Sequence, residues 1–233
     1  MPSSLFCLPP PVLPLAFGFF NKNESFMNLL IRKMEKRDAD QLAHLQEVVF
    51  PDLIPEERMK AIHFSSHPDL FPEGQWVAEI DGKIVGSTSS IRYHFNPLSP
   101  EMHRFADLFD DGFMRTHQPE GNWLYGMDMA VFPEFRGLGI ARRLYSARQK
   151  VVNTLGLEGQ VTVGMLNGFA AHAKEYSLEE YYLALKNGDL KDPTVSVQQK
   201  IGFNMVALMT DYLSDPTCGN AGVLLVLPSS VEV

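Results

Sequence analysis

Residues 127–143 read Met127-Asp128-Met129-Ala130-Val131-Phe132-Pro133-Glu134-Phe135-Arg136-Gly137-Leu138-Gly139-Ile140-Ala141-Arg142-Arg143. The apolar run that ends at Val131 reads as a strand, Pro133 fixes a short turn, and a helix with a glycine-rich first turn follows. Ile140, Leu144, Ala147, Val151 and Leu155 give that helix, expected over 137–155, one apolar stripe. The first N–H groups of a helix have no partner inside it, and glycines at 137 and 139 remove the side chains that would hold an anion away from them. A diphosphate fits such a turn. Arg136, Arg142, Arg143, Arg148 and Lys150 then place five cations within fifteen residues, with no acidic side chain among them. In a chain of net charge −8 this local excess points to a discrete phosphate-bearing ligand.

Working outward, a strand is expected over 29–34, then a helix opened by Asp38 with Leu42, Leu45, Val48 and Val49 as its apolar stripe. A second helix is expected after Pro55, with Glu56 and Glu57 in its first turn. Two strands, 75–80 and 83–93, flank Asp81-Gly82, a strong hairpin signal. Helix is expected around 101–109, a strand over 123–131 and another over 160–166. Ser177 and Glu180 have the spacing of a capping box, Gly202 ends a short helix over 194–200, and strands close the chain at 204–212 and 222–227. The order is mixed α/β, with antiparallel hairpins around one parallel crossover.

Residues 1–26 differ from the rest, since 5–20 is apolar yet carries Pro9, Pro10, Pro11 and Pro14. Such proline density breaks a continuous helix, and the run is shorter than a membrane span. No Lys or Arg precedes it, as a secretory signal would want. The leader is expected to be disordered or outside a single domain over 27–233; a signal, an anchor or a true start at Met27 are the other readings. Two cysteines, Cys7 and Cys218, are too few for a disulfide framework, which makes a reducing, cytoplasmic setting the default. Net negative charge argues against nucleic-acid or membrane partners.

Competing ligand motifs fit less well. In a Gly-x-Gly-x-x-Gly dinucleotide fingerprint the third glycine would fall at Arg142, and Glu158 does not end a following strand. Gly-x-x-x-x-Gly-Lys-Ser/Thr, His-Glu-x-x-His and Gly-x-Ser-x-Gly are all absent, so no metal site or serine nucleophile is expected.

Arg136-x-x-Gly139-x-Ala141, its approach Ala130-Val131-x-Pro133, and Lys200-Ile201-Gly202-Phe203 resemble the signatures of the GNAT superfamily of N-acetyltransferases. Segments around Gly164-Met165-Leu166 and Asp192-Pro193-Thr194 also resemble, more weakly, the acyltransferase domain that some bacteria fuse to a nitrilase-type hydrolase. The resemblance implies a mostly antiparallel central sheet with a splayed parallel strand pair and flanking helices. It implies acetyl-CoA as cosubstrate, with Met129, Ala130 and Val131 along the pantetheine arm and Arg136, Gly137, Leu138, Gly139, Ile140, Ala141 and Arg142 at the pyrophosphate. Asn167, with Ala170 after it, looks like the family's pantetheine-binding Asn-x-x-Ala, although Asn167-Gly168 is also a turn signal.

The implied chemistry is direct attack of a small-molecule or protein amine on the thioester. Asp128 is the one carboxylate on the central strand and the candidate base; simple alternation places it with Gly126 and Ala130, opposite Met127 and Met129. Family members often carry a tyrosine four residues before the glycine of Lys-x-Gly-Phe to protonate the departing thiolate, but Gln198 stands there. An insertion near 171–193 holds Tyr176, Tyr181 and Tyr182, of which Tyr176 is taken as the candidate acid. A non-catalytic acyl-CoA-binding module is the alternative function, and a homodimer is left open.

Overall fold

The computed structural model describes residues 28–233, and the leader over 1–26 lies outside that range. Seven strands form one sheet: β1 (Leu29–Lys33), β2 (Trp76–Ile80), β3 (Lys83–Tyr93), β4 (Trp123–Val131), β5 (Gly159–Met165), β6 (Asn204–Met209) and β7 (Gly222–Pro228), in the order β1-β2-β3-β4-β5-β7-β6. Every neighbouring pair is antiparallel except β4–β5. Asp81 and Gly82 both take positive φ (51° and 79°), the geometry that a two-residue hairpin between right-twisted strands requires.

Among the described residues six α-helices flank the sheet: α1 (Ala39–Val49), α2 (Ala61–Leu70), α3 (Phe105–Phe109), α4 (Ile140–Thr154), α5 (Leu178–Asn187) and α6 (Val195–Ile201). Leu42 and Leu45 of α1 join Ile84, Ile91, Tyr125 and Ala130 in the main core on one face. Ile140 and Leu144 of α4 pack on Ala78, Ile80 and Val85 on the other. None of the helices among the described residues is long and apolar enough to cross a membrane.

Several local expectations shift. Asp38 sits at the start of α1 without capping it, because its carboxylate accepts from Arg32 at 2.7 and 2.8 Å and from the Glu35 N–H. The second helix starts at Ala61 rather than after Pro55; Glu57 lies in the preceding turns, where its carboxylate accepts from the Ser214 N–H (2.7 Å) and hydroxyl (3.1 Å). The Ser177–Glu180 capping box forms as expected, with reciprocal bonds of 3.2 and 2.8 Å.

The centre of the sheet holds two irregularities. First, the β4–β5 ladder spans only three pairs, Leu124–Gln160, Tyr125–Val161 and Gly126–Thr162, and beyond them the strands diverge. Second, Ser89 pairs with Asp128 but Ser90 pairs with Gly126, leaving Met127 as an extra residue, a β-bulge. The bulge resets the alternation. Gly126 faces α4, where the guanidinium of Arg148 fills the space a side chain would need, whereas Asp128 faces α1 and bonds Gln46. Asp128 therefore shares a face with Ala130, as expected, and not with Gly126.

Arg148 is 1% exposed, and its Nη2 donates to the Ser89 carbonyl at 3.5 Å. A methyl group at residue 126 must displace this buried guanidinium. Gly126→Ala is expected to lower stability by ~1–3 kcal/mol, the usual penalty for overpacking. Shortening Arg148 to Met in the same chain should recover much of that loss, and a double-mutant cycle of thermal melts reads the coupling. Additive losses would show that the two residues do not compete for the same space.

Candidate functional site

Where β4 and β5 part, a cavity of about 1010 Å³ passes between the half-sheets. One end is walled by the turn before α4. That turn runs Pro133–Phe135 as 3-10 helix and then through Gly137 (φ 79°) and Gly139 (φ 77°), so that α4 begins at Ile140 and not at residue 137. Positive φ at both positions is what glycine supplies there. A Cβ at either would meet nothing within 4 Å, so the concave surface is open. The first backbone bond into the helix runs from the Arg143 N–H to the Gly139 carbonyl (3.1 Å), and the N–H groups of residues 137–142 have no backbone acceptor. Such a cradle of unpaired N–H groups is suited to an anion, with the helix dipole behind it.

Of the residues expected at this end, Met129, Val131, Arg136, Gly137, Gly139, Ile140, Ala141, Arg142 and Asn167 line the cavity. Ala130 does not: it is buried against α1. Leu138 does not line it either, being 48% exposed on the outer side of the turn. Arg136 donates through Nε to the Val131 carbonyl (3.2 Å), which ties the turn to the end of β4. Arg148, one of the five cations read as phosphate ligands, points into the sheet and is unavailable to a phosphate. Asn167 lies in the turn after β5 and lines the cavity, with Nδ2 donating to Thr194 Oγ1 (2.7 Å).

The other end lies between the α1–α2 connection and the β6–β7 loop. Phe50, Leu53 and Met59 give it an apolar wall, completed by Phe105, Tyr212 and Leu213. Charge divides along the cavity. Arg136, Arg142 and Lys200 lie toward the cradle, whereas Asp52, Glu57 and Asp215 lie at this end, with no Lys, Arg or His among its described lining residues.

Asp128 stands between the two ends. Its Oδ1 accepts from Gln46 Nε2 (3.0 Å), while Oδ2 has no partner. Burial pushes its pKa up to about 6, against the opposing pull of the Gln46 amide and the Arg148 charge. The same burial lowers Arg148. A carboxyl that titrates near neutrality with one free oxygen is suited to take and return a proton.

The tyrosines of the insertion do not reach this cavity. Tyr176 packs at the margin of the core with its ring 6.1 Å from His172, Tyr181 donates to Asp192 (3.2 Å), and Tyr182 lies under Lys186. What the insertion contributes to the wall is its last residue, Pro193, beside Thr194. Phenols reach the cavity from elsewhere, Tyr212 at the acceptor end and Tyr145 of α4, whose oxygen accepts from Gln198 Nε2 at 2.9 Å. Gln198 Oε1 is buried without a partner, pointing to Gly164 on β5. Sequence reading missed Tyr145 because, next to Leu144 of the apolar stripe, nothing in its local sequence marks it out from a core aromatic.

Residues 39–175 match the family described as Acetyltransferase (GNAT) family. The uncharacterized N-acetyltransferase YkwB of Bacillus subtilis (strain 168) is 32% identical over 208 residues, which cover 89% of this chain and 92% of that protein. The probable hydrolase YhcX of the same organism is 34% identical over 189 residues, 81% of this chain, and the chain spans only 36% of YhcX's length. Among solved structures, the GphF GNAT-like decarboxylase in complex with isobutyryl-CoA shares the fold, with a TM-score of 0.72 at 22% identity over 86% of this chain and 99% of that one. A bulged β4 splayed from β5 above an open glycine turn, together with these matches, places the chain in the GNAT acetyltransferase family.

Proposed function

We propose that the chain is an acyl-CoA-dependent N-acyltransferase that moves acetyl from acetyl-CoA to the amine of a small molecule or protein. The observation that carries this reading is the cavity itself, with an anion cradle at one end, an acidic acceptor end at the other, and the free oxygen of Asp128 between them. The N–H groups of residues 137–142, with Arg136 and Arg142, hold the pyrophosphate. The pantetheine arm lies along Met129 and Val131, where β4 has left β5, and Asn167 bonds it from the opposite strand. Backbone N–H at the Met127 bulge polarises the thioester carbonyl. An acceptor amine enters past Asp52 and Asp215, whose sign suits a cation. Asp128 accepts the proton that the nitrogen sheds as the new C–N bond forms, and Tyr145 donates to the departing thiolate.

The second reading, a non-catalytic acyl-CoA-binding module, is favoured by Gln198 standing where the family places a tyrosine. Thiol release from acetyl-CoA across a panel of amines, beside calorimetric CoA binding, separates the two: binding without turnover selects the module.

Gly139→Val is expected to weaken CoA binding several-fold. It places a β-branched side chain at positive φ, at about 1–2 kcal/mol, and puts bulk into the cradle. Unchanged affinity in a folded Gly139→Val protein would remove the cradle from the proposed CoA site.

Asp128→Asn keeps the bond to Gln46 and removes the base, so kcat should fall by ~10²- to 10⁴-fold. The rise of the wild-type rate with pH near 6 should flatten in this variant. Stability should move the other way. A carboxyl whose folded pKa is raised stabilises the fold at low pH, and that contribution is lost as pH rises from about 4 through about 6. The Asn protein should therefore melt higher than wild type at pH 8, with the difference narrowing at pH 4. Near-wild-type turnover with the pH limb intact would make Asp128 a structural residue.

A further inference from the structure

Acceptor amines arrive in water as ammonium ions, and the lone pair needed for attack is exposed only when one proton leaves before chemistry begins. Asp128 is assigned to the second proton, released during attack. The acceptor end of the cavity contains a separate, directional path for the first.

Tyr212, in the β6–β7 loop, lines the acceptor end, and its hydroxyl lies 3.3 Å from the hydroxyl of Tyr125 on β4. The Tyr125 oxygen is 2.7 Å from Nε2 of His103, and Nδ1 of His103 is 3.0 Å from the Glu101 carbonyl. That last contact fixes the direction of all the others. A carbonyl can only accept, so Nδ1 carries the ring proton and Nε2 of the neutral imidazole is an acceptor. Tyr125 must then donate to Nε2, and its oxygen is left to accept from Tyr212. The Tyr212 oxygen, in turn, keeps a lone pair for a donor in the cavity. His103 is only partly buried and lines a second cavity of about 430 Å³, together with Tyr93, Glu101 and Gln118.

We infer that Tyr212, Tyr125 and His103 form a proton relay that deprotonates the acceptor ammonium and delivers its proton to water in the second cavity. The proposal rests on the acyltransfer reading. In one passage the ammonium gives an N–H proton to the Tyr212 oxygen, Tyr212 passes its own proton to Tyr125, and Tyr125 passes its proton to Nε2. Each phenol ends with one proton, the amine is neutral, and the imidazolium loses a proton to water, whose exchange restores the starting tautomer. Burial raises the pKa of Tyr125 and of Tyr212, which keeps both as neutral hydroxyls able to relay rather than as phenolates. Tyr212 is held in place by the Phe105 N–H, which donates to its carbonyl (2.6 Å). The titratable groups around the relay are Glu57 beside Tyr212 and, at the His103 end, Tyr93, His94 and Glu101, with Asp107 acting on Tyr93.

The test compares amines that are charged at pH 7, benzylamine and spermidine, with aniline, which is neutral there. Tyr125→Phe and His103→Gln should lower kcat/KM for the charged amines by ~10²-fold. The loss with aniline should be smaller by an order of magnitude, and the loss with benzylamine should shrink as pH is raised toward 10. An equal loss for all amines at every pH would mean an orienting role and overturn the relay, as would no loss at pH 7. Wild-type protein that turns over none of these amines while binding CoA removes the acyltransfer reading, and the relay's role with it. Independently of turnover, 15N spectra of the free wild-type protein should show His103 protonated at Nδ1. Protonation at Nε2 reverses the direction of the chain and overturns the proposal.

Discussion

The β4–β5 ladder stops at Gly126–Thr162, and nearly everything at the centre of the molecule follows from that limit. A parallel pair that continued would satisfy its own backbone and leave no slot. Here Thr162 Oγ1 donates to the Gly126 carbonyl at 3.0 Å, closing the last rung, while Arg148 occupies the side-chain space of Gly126 from the α4 side. Past that rung β4 follows β3 and β5 follows β7. The backbone that faces the gap turns toward the cavity, where water or a ligand can satisfy it without a desolvation penalty. One of these groups already has a partner from the adjoining turn, the Val131 carbonyl taking the Nε proton of Arg136.

Two charges beside this junction explain each other. Arg148 is buried with Nε unpartnered, and Asp128 is half-buried on the opposite face with its Oδ2 out of solvent and unpartnered. Each favours the charged form of the other, and in both cases burial outweighs that attraction, lowering Arg148 and raising Asp128. A fully formed ion pair would hold Asp128 well below neutrality and leave it a poor base. Separation across the sheet leaves the carboxyl near 6, stable enough to persist and reactive enough to exchange a proton. Ionising it at neutral pH destabilises the fold.

The strands were legible because their signals are local. Trp123–Val131 and Lys83–Tyr93 fall where alternation and the Asp81-Gly82 turn put them, and the capping box of α5 forms where Ser177 and Glu180 predict it. The glycine turn was legible for the same reason, since Gly137 and Gly139 set its backbone geometry within a few residues. What failed was anything that depended on parity or on distance in the chain. One extra residue at Met127 moved Gly126 to the opposite face from Asp128, and a bulge leaves no compositional mark. Arg148 was read among the cations for a phosphate-bearing ligand because nothing in the order of residues says that Gly126 makes room for it. Glu57 was read as a helix-start acid, yet its partner Ser214 is 157 positions away. Tyr125, Tyr212 and His103 come from a strand, a loop and an irregular connection, and only the folded sheet brings them into line.

The insertion over 171–193 shows how a residue can shape the slot without touching its contents. Asp192 is 2% exposed; one carboxylate oxygen accepts from the N–H groups of Thr194 (2.7 Å) and Val195 (3.0 Å), and the other from the Gly168 N–H (2.8 Å) and the Tyr181 hydroxyl. The first pair caps the start of α6, and the second ties that cap to the turn after β5 and to α5. Asn167 and Thr194, which face each other across 2.7 Å at the cavity wall, are therefore both set by this one side chain. Gln198 lies one turn further along α6, so its contact with Tyr145 inherits the same anchor. Tyr181 then has a role that its position on an aromatic helix face concealed. It donates to the anchor, and through α6 it helps fix the distance between the turn that carries Asn167 and the Tyr145 phenol.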